Sequence, residues 1–145
     1  MEHDVRTGWL TGPEVTAPGF YARPRTGAPC AGVVVVHEAF GLNADIQRVC
    51  ERLAGDGYAA LAPDLYDGRP DRLARYDERD KAIAMLKGLD DDEVLQRLRA
   101  AMAQVHALGG GAARPLGLVG FRIGGRYVVL AAAAHPHAVG AVVAY

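Results

Sequence analysis

The sequence predicts an α/β fold, a mostly parallel sheet with helices on both faces, and three observations carry that expectation. Apolar runs at residues 31–36, 58–61, 116–119 and 139–145, the first of them β-branched from Val33 to Val36, have the length of buried strands. Segments with apolar residues at helical spacing separate them, and strands alternating with helices are the pattern of right-handed βαβ units. Residues 115–130 then run from an apolar stretch through Gly120-Phe121-Arg122-Ile123-Gly124-Gly125 into an Ala-rich stretch. That is a strand, a one-residue apex flanked by glycines, and a helix.

The chain has 145 residues, half of them hydrophobic, enough for one domain over 1–145 with its own core. A net charge of −1 with no basic stripe argues against nucleic acid as a partner. No apolar run approaches the ~20 residues that span a bilayer. Met1-Glu2-His3-Asp4 has neither the basic nor the apolar region of a secretory leader. Cys30 and Cys50 lack metal-site spacing and adjoin apolar runs, so they are expected to be buried free thiols of a cytoplasmic protein.

Gly12-Pro13, Pro18-Gly19, Pro24 and Gly27 punctuate the first thirty residues, and a strand over residues 19–23 is expected in a hairpin at a sheet edge. The buried strand over 31–36 ends in His37-Glu38-Ala39-Phe40-Gly41-Leu42-Asn43. Asn43 is placed to cap a helix whose apolar face is Ile46, Val49, Cys50 and Leu53, and which stops at Gly55 and Gly57. After the strand over 58–61 come Ala62-Pro63-Asp64 and a polar, irregular stretch to Asp80, long enough to be a functional surface excursion.

A short helix over 81–87 and a long one, Asp91–Leu108, follow. Asp90-Asp91-Asp92-Glu93 has the look of a metal site, but carboxylates at a helix N-terminus answer the helix dipole without a metal. Val94, Leu95, Leu98, Met102 and Val105 supply the buried stripe of the long helix, and His106 sits near its C-terminus. His135-Pro136-His137 ends the helix over 126–134; no carboxylate or third histidine accompanies that pair, so it reads as a loop. The helix after the first buried strand and the one after the apex are expected on one sheet face, with the two middle helices on the other.

A glycine-rich turn after a strand also raises a dinucleotide site. The Rossmann fingerprint needs G-x-G-x-x-G at the first βα turn and an acid about 20 residues on. Here the glycines read G-x-x-x-G-G and no acid follows them. No cofactor and no metal are expected.

G-x-Nu-x-G between strand and helix is the nucleophile elbow of α/β-hydrolases, whose strained apex requires glycines two residues to either side. Taken with His-Glu-Ala-Phe-Gly at 37–41 and Pro-Asp-Leu-Tyr at 63–66, the elbow makes the sequence resemble the dienelactone hydrolase family over residues 15–145. The resemblance implies an α/β-hydrolase-type sheet and hydrolysis of small carboxylic esters or lactones. It puts Arg122 in the place of the nucleophilic cysteine and Glu38 in that of the glutamate that governs the thiol's ionisation. The N–H groups of Ala39 and Ile123 match the oxyanion hole, and Lys81 matches a basic residue that grips a substrate carboxylate.

Two departures follow. Arginine, always protonated, has no lone pair to offer as a nucleophile. The triad acid and histidine follow the nucleophile in this superfamily, yet the residues after Arg122 hold no Asp or Glu, and their histidines lie in the helix stop. The expectation is therefore an inactive, C-terminally incomplete copy of a hydrolase domain, with an exposed sheet edge prone to self-association. The other expectation is a non-catalytic binding module in which Arg122 pairs with Glu38.

Overall fold

The computed structural model describes residues 4–111 and 115–145. Residues 1–3, which belong to the N-terminal stretch read above as no leader, and residues 112–114 lie outside the described residues. The elements in order are β1 (Val5–Leu10), β2 (Gly19–Pro24), β3 (Gly32–Val36), α1 (Ala44–Gly55), β4 (Ala59–Pro63), α2 (Arg79–Lys87), α3 (Asp91–Leu108), β5 (Leu116–Gly120), α4 (Ile123–Ala134) and β6 (Val139–Ala144).

All six strands join one sheet in the order β1-β2-β4-β3-β5-β6. The N-terminal hairpin is antiparallel and adds to β4 antiparallel, whereas β4, β3, β5 and β6 run parallel. β3 and β4 are buried at every residue, which explains why the sequence shows continuous apolar runs rather than alternation there. Asn43 caps α1 by accepting from the N–H of Ile46, and Asp90 caps α3 by accepting from that of Glu93.

The placement of the helices departs from expectation. α1 packs alone on one face, with Ile46, Cys50 and Ala54 against Val33, Val35, Ala60 and Ala62. α3 and α4 share the other face, where Val94, Leu98, Val105, Tyr127 and Val128 meet Val34, Val36, Leu61 and Leu118. Sheet order supplies the reason. A right-handed crossover from β3 to β4 steps one way along the sheet, while those from β4 to β5 and from β5 to β6 step the opposite way. Reversing the step reverses the face, so α3 and α4 must lie together. α2 covers neither face: Ala82 and Met85 pack with Tyr66 and Ala74 above the ends of the strands.

Leu98 is fully buried in this core. Leu98→Ala is expected to cost about 3 kcal/mol, the transfer term plus the cavity left behind. Denaturant unfolding would show it as a lower midpoint with an unchanged slope.

β6 pairs with β5 alone among the described strands, and its residues are largely exposed, Val142 at 38 % and Val143 at 43 %. No described helix is long and apolar enough to cross a membrane.

Candidate active site

Neighbouring parallel strands whose onward connections leave to opposite faces open a crevice at their C-terminal ends, where ligands bind in open α/β sheets. β3 and β5 are such a pair: Val36 lies opposite Gly120, with α1 following on one face and α4 on the other. The turn at 37–43 and the turn at 121–122 face each other across that crevice.

The second turn has the backbone of an elbow. Arg122 sits at φ 53° and ψ −112°, and no other described non-glycine residue has positive φ. Such a conformation costs on the order of 1–3 kcal/mol and persists only where surrounding structure imposes it. Here the N–H of Phe121 donates to Val36 O at 3.3 Å and that of Arg122 to Tyr145 O at 2.8 Å, while Gly124 and Gly125 bond back to Phe121 and Arg122. Among the described residues, neither the N–H of Ala39 nor that of Ile123 meets a protein acceptor. Both residues line the crevice.

The crevice is a cavity of about 650 Å³ lined by Glu38, Ala39, Phe40, Tyr76, Arg79, Ala82, Ile83, Leu86, Arg122 and Ile123. Four of the five positions singled out in the sequence are therefore brought together. Glu38 Oε2 lies 3.5 Å from Arg122 Nε, but the two side chains differ sharply in exposure, 18 % for Glu38 and 85 % for Arg122.

Lys81 is the fifth, and it lies outside the lining; its ammonium reaches Asp71 at 3.7 Å. The cation on the α2 side of the wall is Arg79. α2 begins at Arg79 rather than at 81, and Arg79, Ala82, Ile83 and Leu86 fall at i, i+3, i+4 and i+7, one helical face turned to the cavity. That spacing was present in the sequence, hidden by the charged stretch before it.

Beneath the turn lies a polar floor to which the sequence reading gave no role. His37 is 1 % exposed; its Nδ1 is 2.8 Å from Glu38 O, and its Nε2 accepts from the N–H of Leu65 at 3.0 Å. Since Nε2 accepts, the proton of the neutral ring sits on Nδ1, which donates. Asp64, also buried, accepts from the N–H of Tyr66 and from Arg72 Nε at 2.9 Å each. The Tyr66 hydroxyl donates to Ala39 O at 2.8 Å.

Burial pushes the His37 imidazole below its ordinary pKa, against the Glu38 carbonyl and the Asp64 charge, which act upward. A histidine held neutral in the folded state favours folding above its unfolded pKa of about 6.5, and that contribution is lost as pH falls below it. Asp64, Arg72 and Tyr66 are the charged or titratable groups around it. Between about pH 6.5 and 5, stability should fall more steeply in the wild type than in His37→Asn, by up to ~1.4 kcal/mol per pH unit, the slope for one proton. Denaturant midpoints across that range would test this; parallel profiles would contradict it.

The remaining chemical candidates have structural roles. Asp90 caps α3, and Asp91 pairs with Arg126 at 2.8 Å, which holds the Asp91 carboxyl below its usual range. Cys30 and Cys50 are buried free thiols, and burial pushes Cys50 up to about 12, a thiol inert at neutral pH. Among the described residues no group of three His, Cys, Asp or Glu is placed to hold a metal ion.

With this geometry in place, comparison with known proteins is informative. Residues 17–145 match the profile of the dienelactone hydrolase family. A protein of Yersinia pestis described as "Putative carboxymethylenebutenolidase" is 36 % identical over 149 aligned positions, which cover 99 % of this chain and 54 % of the relative. One of the same description from Methylorubrum extorquens is 38 % identical over 82 % of this chain and 41 % of its own length. The crystal structure of a "Putative Dienelactone Hydrolase" from Klebsiella pneumoniae superposes with a TM-score of 0.79 at 31 % identity, covering 95 % of this chain and 58 % of that one. The chain thus spans about half the length of the relatives it matches. A family match over residues 17–145, on a fold shared with that structure, makes this chain a member of the dienelactone hydrolase family.

Proposed function

We propose that this chain carries the elbow and oxyanion frame of a hydrolase for small carboxylic esters or lactones, and that arginine at 122 leaves it without turnover through that position. The observation that supports this most is the apex itself: backbone strained as an elbow requires, two free N–H donors beside it, and a guanidinium in place of a nucleophile.

The chemistry the frame supports is acyl transfer. A thiolate at the apex would add to the ester carbonyl, forming a C–S bond and placing negative charge on the carbonyl oxygen. The N–H groups of Ala39 and Ile123 would hold that oxygen, and each such donor is worth several kcal/mol in a water-poor site. Collapse would expel the alcohol or open the lactone, leaving a thioester that water hydrolyses. Glu38, the carboxylate nearest the apex, would govern ionisation of the thiol. A guanidinium can do none of this, because all its nitrogens are committed donors.

Arg79 supports a substrate class. It is the cation on the α2 wall of the cavity, whereas Lys81 is turned to Asp71. An ester or lactone bearing a carboxylate would meet a planar fork of donors there.

The non-catalytic module loses its motive. A buried arginine would have required Glu38 as a partner, but a side chain 85 % exposed needs none, and such pairs contribute about 0–1 kcal/mol. Incubating the purified chain with p-nitrophenyl butyrate tests the proposal: p-nitrophenol should appear no faster than in buffer. A burst that disappears in Glu38→Gln would contradict it.

A further inference from the structure

We propose that His37 is a positioning residue for the oxyanion hole, turning the Glu38–Ala39 peptide so that the Ala39 N–H faces the cavity. The inference rests on the reading of Ala39 as an oxyanion donor and adds the residue that aims it.

In a trans peptide the C=O and the following N–H point in opposite directions, so whatever fixes the Glu38 carbonyl also aims the Ala39 N–H. The Glu38 carbonyl accepts from His37 Nδ1 at 2.8 Å and from the N–H of Gly41 at 3.1 Å. The next two carbonyls are also tied back into the protein, Ala39 O by the Tyr66 hydroxyl at 2.8 Å and Phe40 O by the N–H of Ala74 at 3.1 Å. Three successive carbonyls are thus held by the protein, while the Ala39 N–H has no protein acceptor among the described residues.

His37 differs from the Tyr66 and Ala74 anchors in two respects. Its bond, like that of the Gly41 N–H, falls on the peptide group that carries the donor, and a hydrogen bond accepted at a carbonyl polarises the amide and strengthens its N–H as a donor. Its tautomer is also fixed from below. The N–H of Leu65, at the end of β4, holds Nε2 as an acceptor at 3.0 Å, so the proton must stand on Nδ1, where Glu38 needs it. The turn after β4 thereby sets the direction of a donor in the turn after β3. Burial keeps the ring neutral, as this arrangement requires.

Two substitutions separate the two bonds. His37→Asn keeps an N–H donor where Nδ1 stands and loses the Leu65 bond; His37→Gln reaches the Nε2 position and loses the bond to Glu38. The test is a titration of the full chain with butyrate, a carboxylate probe, followed through backbone amide resonances. In the wild type, the Ala39 and Ile123 amides are expected to shift together on a single binding curve. His37→Gln should keep the Ile123 response and lose at least half of the Ala39 response, and His37→Asn should restore it.

Equal Ala39 responses in all three proteins would overturn the positioning role while leaving the oxyanion reading in place. Silence of both amides in the wild type would overturn the oxyanion reading, and this inference with it. Should His37→Gln not fold, His37→Ala, which offers no donor to the Glu38 carbonyl, is read in its place: loss of at least half of its Ala39 response with that of Ile123 intact supports the proposal, and a full Ala39 response contradicts it.

Discussion

Arg122→Cys should convert a chain that releases no p-nitrophenol into one that releases about one equivalent in a burst with p-nitrophenyl butyrate. The backbone at residue 122 is already that of an elbow, at φ 53° and ψ −112°, so the substitution supplies the nucleophile without rebuilding the turn. Glu38 lies beside the apex, and the N–H groups of Ala39 and Ile123 have no protein acceptor among the described residues, as the proposed oxyanion hole requires. A thiol is the best nucleophile among side chains at neutral pH even before activation. Loss of a guanidinium that is 85 % exposed should change stability by less than about 1 kcal/mol, so any gain of reactivity reads the site rather than the fold. Glu38→Gln in the same background should slow the burst. If Arg122→Cys gave no burst while remaining folded, the acyl-transfer reading of this crevice would be wrong.

Alanine at the elbow glycines should destabilise the fold at the site itself. A Cβ at Gly120 would stand 2.2 Å from Gly124 O, and one at Gly124 would stand 2.5 Å from Val36 O and 2.8 Å from His37 O. All three obstacles are backbone in the middle of the sheet or of the elbow, where nothing can swing aside. Alanine in a helix gains up to about 1 kcal/mol over glycine, and at Gly124 the clash outweighs that gain. Gly124→Ala is expected to lose about 2–3 kcal/mol net, or roughly 8 °C in Tm for a domain of this size. Gly120→Ala should lose more. Gly125→Ala should lose least of the three, since its Cβ would meet the Ala144 methyl at 3.1 Å. Thermal unfolding of the three variants checks the order; a Gly124→Ala protein as stable as the wild type would mean that β3 and α4 do not approach as described.

What could be read from the sequence was local. A continuous β-branched run marked β3 and a short apolar run marked β5, a capping Asn43 and the glycines after it bounded α1, and Asp91–Leu108 was delimited by its own acidic start and glycine stop. The elbow was legible because its constraint lies within five residues. Sheet order was not: nothing in residues 58–61 says that β5 will pair on the far side of β3, and the face taken by α4 follows from that pairing. The same limit hid the floor of the site. His37, Asp64 and Arg72 meet only because two turns distant in sequence end side by side, and a lone histidine after a strand carries no mark of its partner. Arg79 was missed for a smaller reason, a helix start placed two residues late.

The most direct test of the account is a peptide mass map of the wild type and Arg122→Cys after exposure to p-nitrophenyl butyrate. A single butyryl group on the peptide containing residue 122 is expected in Arg122→Cys, with Cys30 and Cys50 unmodified because both are buried, and none is expected in the wild type. A butyryl group on the wild-type chain, or on any residue of Arg122→Cys other than 122, would contradict the claim that this crevice is an acyl-transfer frame with arginine standing in its nucleophile's place.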